Sequence, residues 1–165
     1  MLLKLFVYGT LKRGYWNYNR FCQGVLSVEA AVVRGRLYEL PAGFPVLKVP
    51  EEDILAHGTS DPIVDVVTQQ RLAEELDLES KVVKEITYDG YWGPIHGELM
   101  TFNDPEDRLP SIDRLEGFDP GGLSLYRRVL IPVIVNEKVT LAWVYIGVDL
   151  FHEARWLPQG VWPSS

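Results

Sequence analysis

Cysteine is almost missing from this chain: Cys22 is the single one in 165 residues. An internal disulfide framework is therefore excluded, and the usage fits a reducing compartment such as the cytoplasm. Histidine is scarce too. His57, His96 and His152 stand far apart, with no His-x-x-His or Cys-x-x-Cys pair, so no metal site is expected. Basic residues are in the minority, 16 Lys and Arg against 23 Asp and Glu, for a net charge of −7. That balance disfavours broad electrostatic binding to nucleic acid or to an acidic membrane. No apolar run is long enough to span a bilayer. The apolar start, residues 1–7, is interrupted by Lys4 and ends at Tyr8-Gly9, which reads as a buried strand rather than an export signal. Repeats, low-complexity tracts, a Gly-x-Ser-x-Gly elbow and a Gly-x-Gly-x-x-Gly fingerprint are all missing.

What is present is an ordinary globular composition, 47% hydrophobic and 24% charged, on a chain of the usual length for one domain. The β-rich segment over residues 2–8 ends in a loop, residues 9–14, bounded by two glycines. A short helix is predicted within 15–21, a long strand over 27–40 that Gly35 bends, and a short strand over 45–49. Ser60 or Asp61 is placed to cap a helix whose first residue is Pro62, and residues 81–88 read as either strand or helix. Strand character returns over 95–102. Asp104-Pro105 then opens a helix with Leu109, Ile112 and Leu115 on one stripe. Residues 126–135 and 139–146 flank Asn136-Glu137-Lys138 as a hairpin. Short loops between most strands, with helices inserted, predict an α+β fold with a mixed, mainly antiparallel sheet.

Three groups of residues are candidates for chemistry. The 9–14 loop has phosphate-loop glycine spacing, but Tyr15-Trp16 stand where Lys and Ser/Thr would be needed. It is either a strand-ending turn or a nest of backbone N–H groups aimed at an anion, with Lys12 and Arg13 as helpers or as plain surface charges. Glu116 closes the Leu109–Leu115 stripe at the negative end of a helix dipole, where a carboxylate is disfavoured and its pKa raised. Such a glutamate serves proton transfer, or is simply solvated; Asp113, on the polar face of the same helix, has the weaker claim. In Tyr126-Arg127-Arg128 the arginines read first as strand-edge surface charges, while Tyr126 can donate a hydrogen bond into a cleft. Cys22 reads as a small core residue.

The ordered set of segments is more specific than any one of them. Leu5-Phe6-Val7-Tyr8-Gly9-Thr10-Leu11-Lys12-Arg13-Gly14 resembles the opening motif of the γ-glutamylcyclotransferase-like family. Gly35-Arg36-Leu37-Tyr38, His96-Gly97-Glu98-Leu99, Asp113-Arg114-Leu115-Glu116-Gly117-Phe118, Tyr126-Arg127-Arg128 and Ala142-Trp143-Val144-Tyr145 follow in that family's order. The resemblance implies a small β-barrel with flanking helices, forming one domain over 1–165 with an insertion or flap at about 50–93. It implies a cleft in which backbone N–H groups at Tyr8, Gly9, Thr10 and Leu11 hold a γ-glutamyl or 5-oxoproline moiety. Glu116 falls on the family's acid/base, and Tyr126 in or beside the pocket. The implied reaction closes a γ-glutamyl group to 5-oxoproline and releases an amine, with no metal or other cofactor and a small γ-glutamyl molecule as the partner it acts on. The 50–93 segment, Trp92 and the Trp156/Trp162 tail are candidates to cover the cleft and select the amine. The same cleft also suits a non-catalytic binding or regulatory module, although a proton-transfer carboxylate favours the enzyme.

Overall fold

Alternation along the first strand already defines two layers. In β1 (Leu3–Val7), Leu3, Leu5 and Val7 belong to one buried cluster, while Phe6 and the following Tyr8 belong to another. The structure is a computed structural model that describes residues 1–76, 88–120, 122, 124–149 and 152–164. Its other strands are β2 (Ser27–Glu39), β3 (Pro45–Lys48), β4 (Ala56–His57), β5 (Gly93–Phe102), β6 (Tyr126–Val135), β7 (Lys138–Gly147) and β8 (Arg155–Trp156). The helices are α1 (Tyr18–Phe21), α2 (Pro62–Glu75) and α3 (Pro105–Glu116).

Strands β2, β5, β1, β7 and β6 follow one another by hydrogen bonding, and the Val32–Ile134 pairing of β2 with β6 closes the ring. Only the β1–β7 contact is parallel among the described pairings, so the barrel is mixed and mainly antiparallel. The fold is α+β, as its sequence pattern implied. At Gly35 the long strand β2 changes partner: Gly35 pairs with Gly93 of β5, and the next residue, Arg36, pairs with Lys48 of β3. The interior holds alternate residues of all five barrel strands, among them Phe6, Val33, Leu99, Ile131 and Val144. The opposite face, with Leu5, Met100, Phe102, Leu130 and Trp143, is covered by Val66 of α2 and by Leu109 and Ile112 of α3. Each fully buried Leu or Val contributes about 1.5–3 kcal/mol, so these two layers dominate stability.

The 126–147 hairpin turns on Asn136 and Glu137, whose φ angles of 51° and 64° give the twist that a two-residue connection requires. Asp61 caps α2 by accepting the Ile63 and Val64 N–H groups. Asp104 does not cap α3 with its side chain. Its carboxylate instead takes Arg108 at 3.0 and 3.2 Å, and Arg108 reaches the Phe21 carbonyl at 2.9 Å, joining α3 to α1. Pro110 sits inside α3 without ending it. The strand-or-helix reading of 81–88 falls, up to residue 87, outside the described residues. No helix among the described residues is long and apolar enough to cross a membrane.

Lys12 corrects the expectation of a surface charge on the first loop. It is buried, and its ammonium donates to the Trp162 carbonyl at 2.5 Å, tying the C-terminal tail across the end of the barrel. Burial lowers its pKa, while Glu98 opposes that shift. Lys12→Ala is expected to cost about 1–2 kcal/mol of stability. Urea titration should show the loss as a lower midpoint at unchanged slope; an unchanged midpoint would detach Lys12 from the tail's stability.

Candidate active site

One cavity of about 390 Å³ opens where β1 runs into its loop. Tyr8, Gly9, Thr10 and Leu11 line it from one side, and Leu115 and Glu116 from the end of α3. Tyr126 and Tyr145 line it as well, with Trp16, Leu40, Phe44 and Pro45 among the remaining residues. All six residues singled out from the motifs thus border one pocket. Among the described residues no side chain of 50–93 and none of the C-terminal tail lines it. The described residues of those segments thus do not line the cleft; Trp162 acts from behind, packing edge-on against Trp16 at 6.1 Å.

The loop is shaped by its own hydrogen bonds. Lys12 N–H donates to the Gly9 carbonyl at 3.0 Å, Asn17 N–H to the Thr10 carbonyl at 3.1 Å, and the Asn17 amide to Thr10 Oγ1 at 2.7 Å. Arg13 N–H is held by Glu98 at 2.6 Å, which accounts for the glutamate of the His96-Gly97-Glu98-Leu99 segment. The N–H groups of Gly9, Thr10 and Leu11 have no hydrogen-bond acceptor among the described residues. Three successive donors beside a pocket suit an anionic oxygen. Gly9 is required by close approach: a Cβ there would lie 2.8 Å from Pro45 Cγ, on the pocket wall. This reason differs from the ligand contact inferred from the sequence.

Glu116 is the last residue of α3, and Gly117 ends the helix in the left-handed conformation at φ 70°, where a residue with a Cβ is strained. The glycine of the Leu115-Glu116-Gly117 segment therefore fixes where the carboxylate leaves the helix. Glu116 is half-buried, and its pKa is raised to about 7, first by burial and second by the Asp113 carboxylate. Asp113 lies one turn earlier on the same helix, so its effect follows from i, i+3 geometry.

Asp113 is anchored by a buried network that sequence reasoning missed. Arg128 donates to Asp113 at 2.9 and 3.2 Å, to Asp65 at 2.9 Å and to the Thr59 carbonyl at 2.9 Å. Tyr145 O–H donates to Asp113 at 2.5 Å, and Tyr8 O–H to the Tyr145 carbonyl at 2.6 Å. Arg128 and Asp65 are each only 1% exposed, so Arg128 is no strand-edge surface charge. Its neighbour Arg127, on the other face of β6, is half-buried and lies 3.7 Å from Glu51. Two aspartates share the one guanidinium charge, and no cation among the described residues lowers Glu116. Burial also raises the phenols: Tyr126 to about 12, Tyr8 and Tyr145 well above their ordinary value. They stay protonated, and Glu116 is the ionisable side chain of the pocket that titrates near neutrality.

The class is an α+β protein, a closed mixed β-barrel flanked by helices, with the Tyr8–Leu11 loop and Glu116 lining one pocket. A family model described as gamma-glutamyl cyclotransferase, AIG2-like, matches residues 5–78 and 83–164. The chain belongs to that family. Similar solved structures include YkqA from Bacillus subtilis, 18% identical with a TM-score of 0.55, covering 98% of this chain and 40% of that one. An allophanate hydrolase from Kluyveromyces lactis is 14% identical at a TM-score of 0.53, over 98% of this chain and 20% of its own length. The uropathogenic E. coli-specific protein c4763 is 12% identical at 0.50, over 98% and 93%. This chain thus spans about 40% of the length of YkqA. These likenesses concern the fold. No curated protein sequence matches the chain.

Proposed function

We propose that this chain cyclises a γ-glutamyl derivative to 5-oxoproline and releases the amine, with Glu116 as general acid/base. The observation that carries the reading is a half-buried carboxylate with a pKa of about 7 bordering the same pocket as the Tyr8–Leu11 loop. In the reaction the α-amino nitrogen attacks the side-chain amide carbon, forming the lactam C–N bond. Glu116 takes the proton from that nitrogen and returns it to the leaving nitrogen as the original amide bond breaks. At a pKa near 7 both directions of transfer are accessible at neutral pH. The N–H groups of Gly9, Thr10 and Leu11 hold the substrate's anionic or developing negative oxygens, which matters because no Lys or Arg lines the pocket among the described residues. Tyr126, a neutral phenol lining the same pocket near Glu116, donates to the substrate. Folding the substrate so that amine and carbonyl approach within about 3–3.5 Å supplies much of the acceleration. No step calls on a resident cofactor or a covalent enzyme intermediate. We assign the chemistry to one domain spanning 1–165, with the 50–93 segment as an insertion that supplies Thr59 and Asp65 to the network behind Glu116, and to a cytoplasmic setting.

Incubation with γ-glutamyl amides should release 5-oxoproline and free amine in equal amounts, resolved by chromatography. No release from any of them would overturn the reading. In a parallel titration with 5-oxoproline, Gly9→Val should bind about tenfold more weakly or worse, because the added side chain meets Pro45 and shifts the loop. Equal affinity would remove the loop from the site.

A further inference from the structure

The pocket is apolar where it opens. Trp16 and Phe44, 63% and 45% exposed, stand edge to face at 6.3 Å and both line the cavity. Large exposed rings beside a pocket lose water contact favourably when a ligand covers them. They are also held in place. Trp16 packs on Trp162, whose indole N–H donates to Glu39 and to the Gly43 carbonyl, each at 3.1 Å. The residue after Trp16, Asn17, carries the two bonds to Thr10, so the ring and the donor loop share one scaffold.

Building on the cyclotransferase reading, we propose that Trp16 and Phe44 form the leaving-group subsite and that the preferred substrate bears an uncharged aromatic or branched aliphatic amine. A γ-glutamyl group anchored by the loop and Glu116 uses only part of a cavity of about 390 Å³. The amine then lies toward Trp16, Phe44 and Leu40. Glu116 is the only charged side chain lining the cavity among the described residues. A leaving amino acid would bring a carboxylate to this wall with no cation to meet it, beside a carboxylate of the same sign. A leaving amine with no carboxylate avoids that cost and covers the rings.

The test compares kcat/KM for γ-glutamyl phenethylamide, γ-glutamyl methylamide and γ-glutamylphenylalanine, the last differing from the first by one carboxylate. The phenethylamide should exceed γ-glutamylphenylalanine by about 100-fold and the methylamide by about tenfold. In Trp16→Ala the phenethylamide-to-methylamide ratio should fall toward one, and Trp16→Phe should restore most of it. Phe44→Ala provides a second, independent lowering of the ratio. A γ-glutamylphenylalanine rate equal to or above that of the phenethylamide, or ratios unchanged in both alanine variants, would overturn the subsite while leaving the cyclotransferase reading intact. If none of the three is turned over, that reading fails. Calorimetry of the phenethylamide and of γ-glutamylphenylalanine on the wild-type chain then decides the subsite alone: at least tenfold tighter binding of the amide supports it, and equal binding overturns it.

Discussion

Glu116→Gln is expected to lower the rate of 5-oxoproline formation about 100-fold or more while the product still binds within a few-fold of the wild-type affinity. The amide keeps the shape and polarity of the carboxyl but cannot accept the proton of the attacking nitrogen. The same substitution should stabilise the protein above neutrality. Burial raises the Glu116 pKa from its ordinary 4.5 to about 7, so the folded chain binds a proton that the unfolded chain has lost between those values. The protonated group's contribution is complete below about pH 4.5 and is lost as pH rises to about 7. Gln carries no such loss, so the variant should exceed the wild type by up to about 3 kcal/mol at pH 8 and match it near pH 4. Denaturant titrations at the two pH values read this directly. Equal stabilities at pH 8 would mean that the carboxylate is solvated, and its claim to proton transfer would go with it.

Arg128→Met should produce the largest loss of stability, about 3–5 kcal/mol, because it leaves the carboxylates of Asp65 and Asp113 buried without a cation. Arg128 joins β6 to the N-terminal part of α2 and to the C-terminal part of α3. Its loss therefore also frees the helix end that aims Glu116. Adding Asp65→Asn and Asp113→Asn to Arg128→Met should recover part of the stability, since the uncompensated charges are gone. A urea midpoint for Arg128→Met within the error of the wild type would contradict the buried network. The network explains why the Tyr126-Arg127-Arg128 segment behaves as two unlike arginines: Arg128 shares the helix-covered face of β6 with Leu130, while Arg127 alternates with the barrel-facing Val129 and Ile131 and, at the strand's end, reaches Glu51.

The strands and their mixed sheet were readable from residue order because they alternate, whereas closure into a barrel was implied only by the family resemblance. Leu3, Leu5 and Val7 against Phe6 and Tyr8, and Leu141, Trp143 and Tyr145 against Ala142, Val144 and Ile146, sort into the two buried layers. Turn chemistry was equally local: Asp61-Pro62 at the start of α2, Asn136-Glu137 in the hairpin, Gly117 after Glu116. What stayed hidden depends on tertiary placement. Strand β4 is two residues long, too short to carry a period. Lys12 looks like any loop lysine until Trp162 folds over it, 150 residues away. The Arg128–Asp65 pair joins positions 63 residues apart, and nothing local distinguishes Asp65 from a surface helix residue. The pairing of Asp113 with Glu116 was accessible, because an i, i+3 spacing on one helix puts two carboxylates side by side. It was discounted because a polar helix face is ordinarily a solvated one.

The acid limb of the pH–rate profile tests the central assignment most directly. With a γ-glutamyl amide at saturation, log kcat of the wild type should rise with pH and bend near pH 7, as Glu116 loses its proton in the folded pocket. The residual rate of Glu116→Gln should lack that bend. A wild-type profile with no inflection between pH 5 and 8, or the same inflection retained in the variant, would place the acid/base function on another group.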